Sequence, residues 1–124
     1  MNAKKLKLLI VDDSVIIGSR LRALLMPFEN ISIIGHAENF KEASAIIDTM
    51  HPDVILLDIE MPDKSGIDLL TEIRLMHSQA KVIMCTNYVN PYSKNLCLQL
   101  GADYFLDKSN EFEKIPSLLR QWTC

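Results

Sequence analysis

Three short apolar runs in this chain each end in charged side chains, and that pattern leaves few folds open. Leu8-Leu9-Ile10-Val11 runs into Asp12-Asp13, Val54-Ile55-Leu56-Leu57 into Asp58, and Tyr104-Phe105-Leu106 into Asp107-Lys108. Apolar runs of this length, separated by helical patterns, read as parallel strands buried on both faces. In an open α/β sheet the carboxyl ends of such strands border the crevice in which ligands bind. The carboxylates of Asp12, Asp13 and Asp58 and the ammonium of Lys108 are therefore expected at one edge of the sheet. Carboxylates held so close repel one another, and the site calls for a divalent cation.

The rest of the chain alternates in the same way. Leu6–Val11 reads as the first strand, followed by a helix that Ser14 caps and whose apolar face is Ile17, Leu21, Leu24 and Leu25, ending near Pro27. Ile31–Gly35 alternates only partly, as an edge strand does. Asn39, with Glu42 three residues on, caps a second helix with Phe40, Ala43, Ile46, Ile47 and Met50 as its stripe, and His51-Pro52 stops it. Val54–Asp58 is the third strand. Ser65 then opens a helix with Ile67, Leu70, Ile73 and Met76 inward. Lys81–Cys85 is strand four, ending at Thr86. Pro91, after Asn90, starts the fourth helix and Gly101 ends it. Tyr104–Leu106 is strand five, and Ile115, Leu118, Leu119 and Trp122 form the stripe of the last helix. Pro116 would break a helix begun at Asn110, which places the start nearer Lys114. Five βα units in a row imply an α/β fold with a doubly wound parallel sheet, since right-handed crossovers cover both faces.

At 124 residues with 48% hydrophobic content there is room for one domain and a real core. A net charge of -3 argues against nucleic-acid binding, which wants a basic patch; Lys4-Lys5-Lys7 is better explained as a solvated strand edge. Cys85, Cys97 and Cys124 are odd in number and lack metal-ligand spacing, and Cys85 reads as a small core residue. With neither a signal peptide nor a membrane-length apolar span evident, a reducing cytoplasm is the expected location. His36, His51 and His77 share no motif and read as structural or surface residues.

Charge arithmetic explains why these side chains belong together. Asp12, Asp13 and Asp58 carry three negative charges, which Mg²⁺ and Lys108 would balance. Mg²⁺ prefers oxygen ligands and tends to share a phosphate oxygen. The residues at this edge also carry a resemblance. Val11-Asp12-Asp13-Ser14, Asp58-Ile59-Glu60-Met61-Pro62 with Ser65-Gly66, Thr86, and Gly101-Ala102-Asp103-Tyr104-Phe105 leading to Lys108 resemble the receiver domain of two-component response regulators. The likeness covers nearly the whole chain. Each fragment alone is weak, but in this order and spacing they are specific.

The resemblance implies a flavodoxin-like (βα)5 fold with strand order 2-1-3-4-5, and residues 1–124 as one receiver domain with no output domain in this chain. It implies that Asp58 takes a phosphoryl group from a phosphohistidine of a sensor histidine kinase or phosphotransfer protein. Asp12, Asp13, Asp58 and the backbone carbonyl of Glu60 would hold Mg²⁺, with Asp13 the direct ligand and Asp12 acting through water. Asp58 would be the nucleophile and Lys108 would neutralise the phosphoryl oxygens. Thr86 would hydrogen-bond the transferred group, drawing Phe105 inward and changing the surface of helix 4, strand 5 and helix 5, where a downstream protein docks. Glu60 and Tyr88 would border the phosphoryl group and modulate its hydrolysis.

Two departures from the family pattern bear on this reading. Phe105 stands where Tyr is usual, so the ring lacks a hydroxyl. Lys108-Ser109 replaces the common Lys-Pro, and a trans bond is expected there because a non-proline cis bond costs roughly 3 kcal/mol. Tyr88, Tyr92, Leu96 and Phe105 gather near helix four, either as an exposed partner patch or as partly buried packing. The chain would then be a signalling switch catalysing only its own phosphoryl transfer and dephosphorylation, with no direct contact to nucleic acid or membrane. The alternative is a dehalogenase-like phosphatase. It would need an Asp-x-Asp motif after the first strand and a cap insertion, and neither is present.

Overall fold

The computed structural model describes residues 5–77, 79–87 and 89–123. Its elements run β1 (Leu6–Val11), α1 (Val15–Leu25), β2 (Ile31–Ala37), α2 (Phe40–Met50), β3 (Val54–Leu57), α3 (Gly66–Met76), β4 (Lys81–Thr86), α4 (Pro91–Gln99) and β5 (Tyr104–Asp107). A 3-10 turn (Phe112–Lys114) then leads into α5 (Ile115–Arg120). The strands form one parallel sheet in the order β2-β1-β3-β4-β5. This is the doubly wound, flavodoxin-like architecture expected from the sequence.

Side chains alternate across the sheet, and the two faces bury separate clusters. Leu9, Val11, Ile55, Leu57, Val82, Met84 and Phe105 pack with Ala43, Ile47, Leu69, Leu70, Ile73 and Cys97 from α2, α3 and α4. On the other face Leu8, Ile10, Val54, Leu56, Ile83, Cys85 and Leu106 meet Ile17, Leu21, Leu25, Ile115 and Leu119 of α1 and α5. Burying a Leu or Ile side chain contributes roughly 1.5–3 kcal/mol, so the central strands carry much of the stability. The chemistry sits at their carboxyl ends. No helix among the described residues is long and apolar enough to cross a membrane.

The caps lie where the sequence places them. Ser14 Oγ accepts from Ile17 N, Asn39 Oδ1 from Glu42 N, Ser65 Oγ from Ile67 N and Asn90 Oδ1 from Ser93 N. Pro116 falls in the first turn of α5, which begins at Ile115, so the late start holds. Four local readings need correction. β2 runs on to Ala37, because His36 and Ala37 pair with Ile10 and Val11; the polar His36 hides this in the sequence. The third strand stops at Leu57, one residue before Asp58. Met50 and Met76, read as inward, are exposed; each closes its helix where the chain turns away at His51 and His77. Leu69, omitted from the α3 stripe, is fully buried.

Gly66 is the tightest point between the sheet and α3. A Cβ there would lie 1.9 Å from the Asp58 carbonyl oxygen and 2.8 Å from its carbon. Both are backbone atoms that cannot swing aside. Gly66→Ala is therefore expected to lower stability by at least about 2 kcal/mol, measured by urea unfolding. Gly35→Ala, whose Cβ would meet only side-chain carbon at 3.4 Å, is expected to be much milder. Equal losses in the two variants would contradict the clash.

Candidate functional site

Strand register decides which side chains meet at the carboxyl edge. Asp12, Asp58 and Lys108 continue the alternation of Ile10, Leu56 and Leu106, all on the face covered by α1 and α5. Lys108 Nζ lies 2.6 Å from Asp12 Oδ2 and 3.2 Å from Asp58 Oδ2. All three residues are buried, at 5%, 4% and 7% exposure respectively. Asp13, the next residue along, is exposed at the mouth. One carboxylate oxygen from each of Asp12, Asp13 and Asp58 can be chosen so that all lie within 4.8 Å of one another.

Local turns hold this arrangement. Asp12 Oδ1 accepts from Ser14 N at 2.8 Å, and the Asp58 N–H continues toward β1 by donating to the Val11 carbonyl at 3.0 Å. Asp58 Oδ1 accepts a long bond, 3.4 Å, from Glu60 N. The loop after Asp58 is fastened by Asp63, whose carboxylate accepts from Phe40 N and Lys41 N at the start of α2 and from Lys64 N. Those backbone donors, the Phe40 N–H first, hold the Asp63 carboxyl below its usual range. The sequence reading missed Asp63; Asx-type capping from a residue more than twenty positions away leaves no local signal.

The electrostatics are unbalanced toward negative charge. Burial pushes the Asp58 carboxyl upward, Lys108 opposes that, and the Asp12 charge adds to the rise. For Lys108, burial alone would lower the ammonium; the hydrogen bond it donates to Asp12 and the charges of Asp58 and Asp12 together outweigh it and raise the value. One buried ammonium thus serves two buried carboxylates, and a third lies at the rim. An all-oxygen set of this kind fits Mg²⁺, which takes carboxylate and carbonyl oxygen and keeps several waters. The cavity they border measures about 330 Å³ and is also lined by Ile17, Arg20, Asn87 and Ser109. A larger hollow of about 570 Å³ at the opposite edge, beside His51, Asp53, His77 and Trp122, is lined by no such acid triad.

The remaining expected residues divide. Thr86 ends β4 on the α3–α4 side of the sheet, following Val82 and Met84; it is 1% exposed and does not line the cavity. Phe105 lies on that same face, pairs in register with Met84 and is 8% exposed, so its ring is already inside. Glu60 lines the cavity. Tyr88 lies outside the described residues. Of the patch near α4, Tyr92 is exposed while Phe105 is core. The Lys108-Ser109 bond is trans, as expected without proline. Cys85 is buried, and burial pushes its thiol up to about 12, which leaves it an inert core residue. Arg20 stacks over the Phe112 ring at 4.4 Å beside the cavity mouth, a cation the sequence reading did not single out.

Comparison with known proteins adds a second line of observation. Residues 8–120 match the family described as Response regulator receiver domain. The chain is 34% identical over 109 residues to the transcriptional regulatory protein YdfI of Bacillus subtilis, covering 88% of this chain and 51% of that protein. It is 37% identical over 117 residues to protein-glutamate methylesterase/protein-glutamine glutaminase 1 of Carboxydothermus hydrogenoformans, covering 93% of this chain and 34% of that one. The chain thus spans about half the length of the first of these relatives and about a third of the second. Among solved structures, the CheX–CheY complex with BeF3 and Mg²⁺ from Borrelia burgdorferi superposes with a TM-score of 0.81 at 29% identity, over 94% of this chain and 90% of that one.

The raised Asp58 carboxyl has a measurable consequence in the absence of divalent cation. Its folded value lies above the unfolded one, so the protonated form favours folding and stability falls as pH rises from the ordinary carboxylate range through the raised value. At neutral pH the buried charge is a net burden. Asp58→Asn in EDTA is expected to melt about 3 °C higher than wild type at pH 7, with the difference shrinking as pH falls through that window. A lower melting point for Asp58→Asn at pH 7 would contradict the assignment.

Proposed function

The chain belongs to the response regulator receiver family, and from that membership we propose that Asp58 is the residue through which it accepts a phosphoryl group. The carrying observation is the buried contact of Asp58 with Lys108 and Asp12 beside an exposed Asp13. The donor would be a phosphohistidine of a sensor histidine kinase or of a phosphotransfer protein. An Asp58 carboxylate oxygen attacks phosphorus in line, a new O–P bond forms and the P–N bond breaks. Its electron pair stays on the imidazole nitrogen of the donor. Lys108, already within hydrogen-bond reach of Asp58, then faces the phosphoryl oxygens and offsets their charge.

Asp13, Asp58 and the Glu60 backbone carbonyl would hold Mg²⁺ directly. Asp12, whose oxygens already accept from Ser14 N–H and Lys108, would contact the ion through water, as the family resemblance implies. When bound, the ion supplies charge neutralisation on the attacking and transferred oxygens. Glu60 borders the cavity and would influence the water that later hydrolyses the acyl phosphate, with Tyr88 in a similar role by resemblance alone. The reaction is confined to the chain's own phosphorylation and dephosphorylation, so the domain acts as a switch and not as a turnover enzyme.

The readout would run through the other face of the sheet. Thr86 and Phe105 share the α3–α4 side, and Thr86 pairs in register with Asp107, next to Lys108. A Thr86 hydroxyl drawn to the phosphoryl group changes the packing beside Phe105 and, with it, the surface of α4, β5 and α5 that a downstream protein contacts. Phe105 has no hydroxyl to favour solvent, so its ring rests inside before any phosphorylation. The switch in this chain then depends on α4 and on Thr86 more than on ring rotation. Phosphorylation shifts populations only by the difference in its affinity for the two arrangements.

Incubation with acetyl phosphate and Mg²⁺ followed by intact-mass measurement tests the assignment. A single phosphoryl adduct is expected on the wild-type chain, absent from Asp58→Ala and absent in EDTA. An adduct that survives in Asp58→Ala would place the acceptor elsewhere.

A further inference from the structure

The turn that carries Asp12 and Asp13 is held from a direction the site chemistry does not explain. The parallel ladder between β1 and β2 ends at Val11 and Ala37. One further backbone bond, Asp12 N–H to the Ala37 carbonyl at 2.9 Å, extends it. The Asp12 carbonyl is satisfied differently: His36 Nε2 reaches it at 2.7 Å. A carbonyl oxygen only accepts, so Nε2 carries the proton and donates.

The route of the imidazole is built into α1. A Cβ on Gly18 would lie 2.5 Å from His36 Nδ1 and 2.8 Å from Cε1. Gly18 is in the second turn of α1, where glycine otherwise weakens a helix. Its absent side chain leaves the channel through which His36 crosses from the sheet edge to the Asp12 peptide. Fixing that carbonyl fixes the plane of the peptide joining Asp12 to Asp13. The plane sets where the Asp13 Cα stands relative to Asp58.

We propose that His36 is a positioning residue for the metal-binding turn, acting through the Asp12 carbonyl and accommodated by Gly18. It touches neither the ion nor the phosphoryl group. The inference rests on the magnesium reading of the site and adds to it a residue that no family likeness marked. Outer partners that orient metal ligands commonly change affinity by 10- to 100-fold when removed. A residue holding only the backbone between two ligands belongs at the low end.

Mg²⁺ titrations followed by backbone amide NMR give the dissociation constant directly, without phosphorylation. His36→Leu is expected to weaken Mg²⁺ about tenfold, and His36→Gln, whose amide nitrogen can replace Nε2 as donor, to stay within about threefold of wild type. A role confined to packing would lower the melting point in EDTA and leave the Mg²⁺ constant of the folded protein unmoved. If His36→Leu does not fold, Gly18→Ala decides: its Cβ displaces the imidazole and should weaken Mg²⁺ without itself reaching the site. Wild-type affinity in the folded variant, or an equal loss in Gln and Leu, overturns this inference alone. Failure of the wild-type chain to bind Mg²⁺ at all, with Asp13→Asn indistinguishable from it, overturns the magnesium reading and this inference together.

Discussion

One ammonium shared between two buried carboxylates governs the rest of this structure. Taking ions out of water costs several kcal/mol each, and that cost is offset only when partners are close and well placed. Lys108 meets Asp12 and Asp58 closely enough to remain charged, yet it cannot neutralise both. The apolar sheet supplies the stability that holds this imbalance in place. Its central strands are buried on both faces, and Asp12 and Asp58 each stand one residue past the end of the β1–β3 ladder. Residual negative charge at that edge suits a divalent cation, which would in turn offset the charge of an incoming phosphoryl group.

The two-residue period of the strands sorts the residues at the carboxyl edge onto two faces. Asp12, Asp58 and Lys108 continue one face, beneath α1 and α5, while Thr86 and Phe105 continue the other, beneath α3 and α4. In the proposed switch a phosphoryl group on Asp58 would act across the sheet, through the adjacent ends of β4 and β5. Gly66 and Asp63 serve the same geometry from the loop side. The first allows α3 to close on the Asp58 peptide and the second pins the loop to α2. His36 does so from the β2 edge.

Most of the architecture was legible because strong local signals agreed with one another. The buried strands read as continuous apolar runs, and four helix caps lay at residues whose side chains do cap. The site residues were legible for a related reason, since each follows directly on a strand and needs only the sheet to bring it home. What escaped were contacts between elements distant in sequence. Nothing near Asp63 says that it caps α2, and nothing near His36 says that its side chain reaches the Asp12 carbonyl. Met76 was misplaced because Leu69, Leu70 and Ile73 already fill the stripe of α3, leaving the last turn outside the core.

Asp12, Asp13 and Asp58 are proposed to form a divalent-cation site whose charge Lys108 only partly balances. Crystals grown with Mn²⁺ and measured at its absorption edge test it directly. An anomalous peak is expected within coordination distance of Asp13 and Asp58, with Lys108 still beside Asp58. A peak confined to other residues, or none at a saturating concentration, would contradict it.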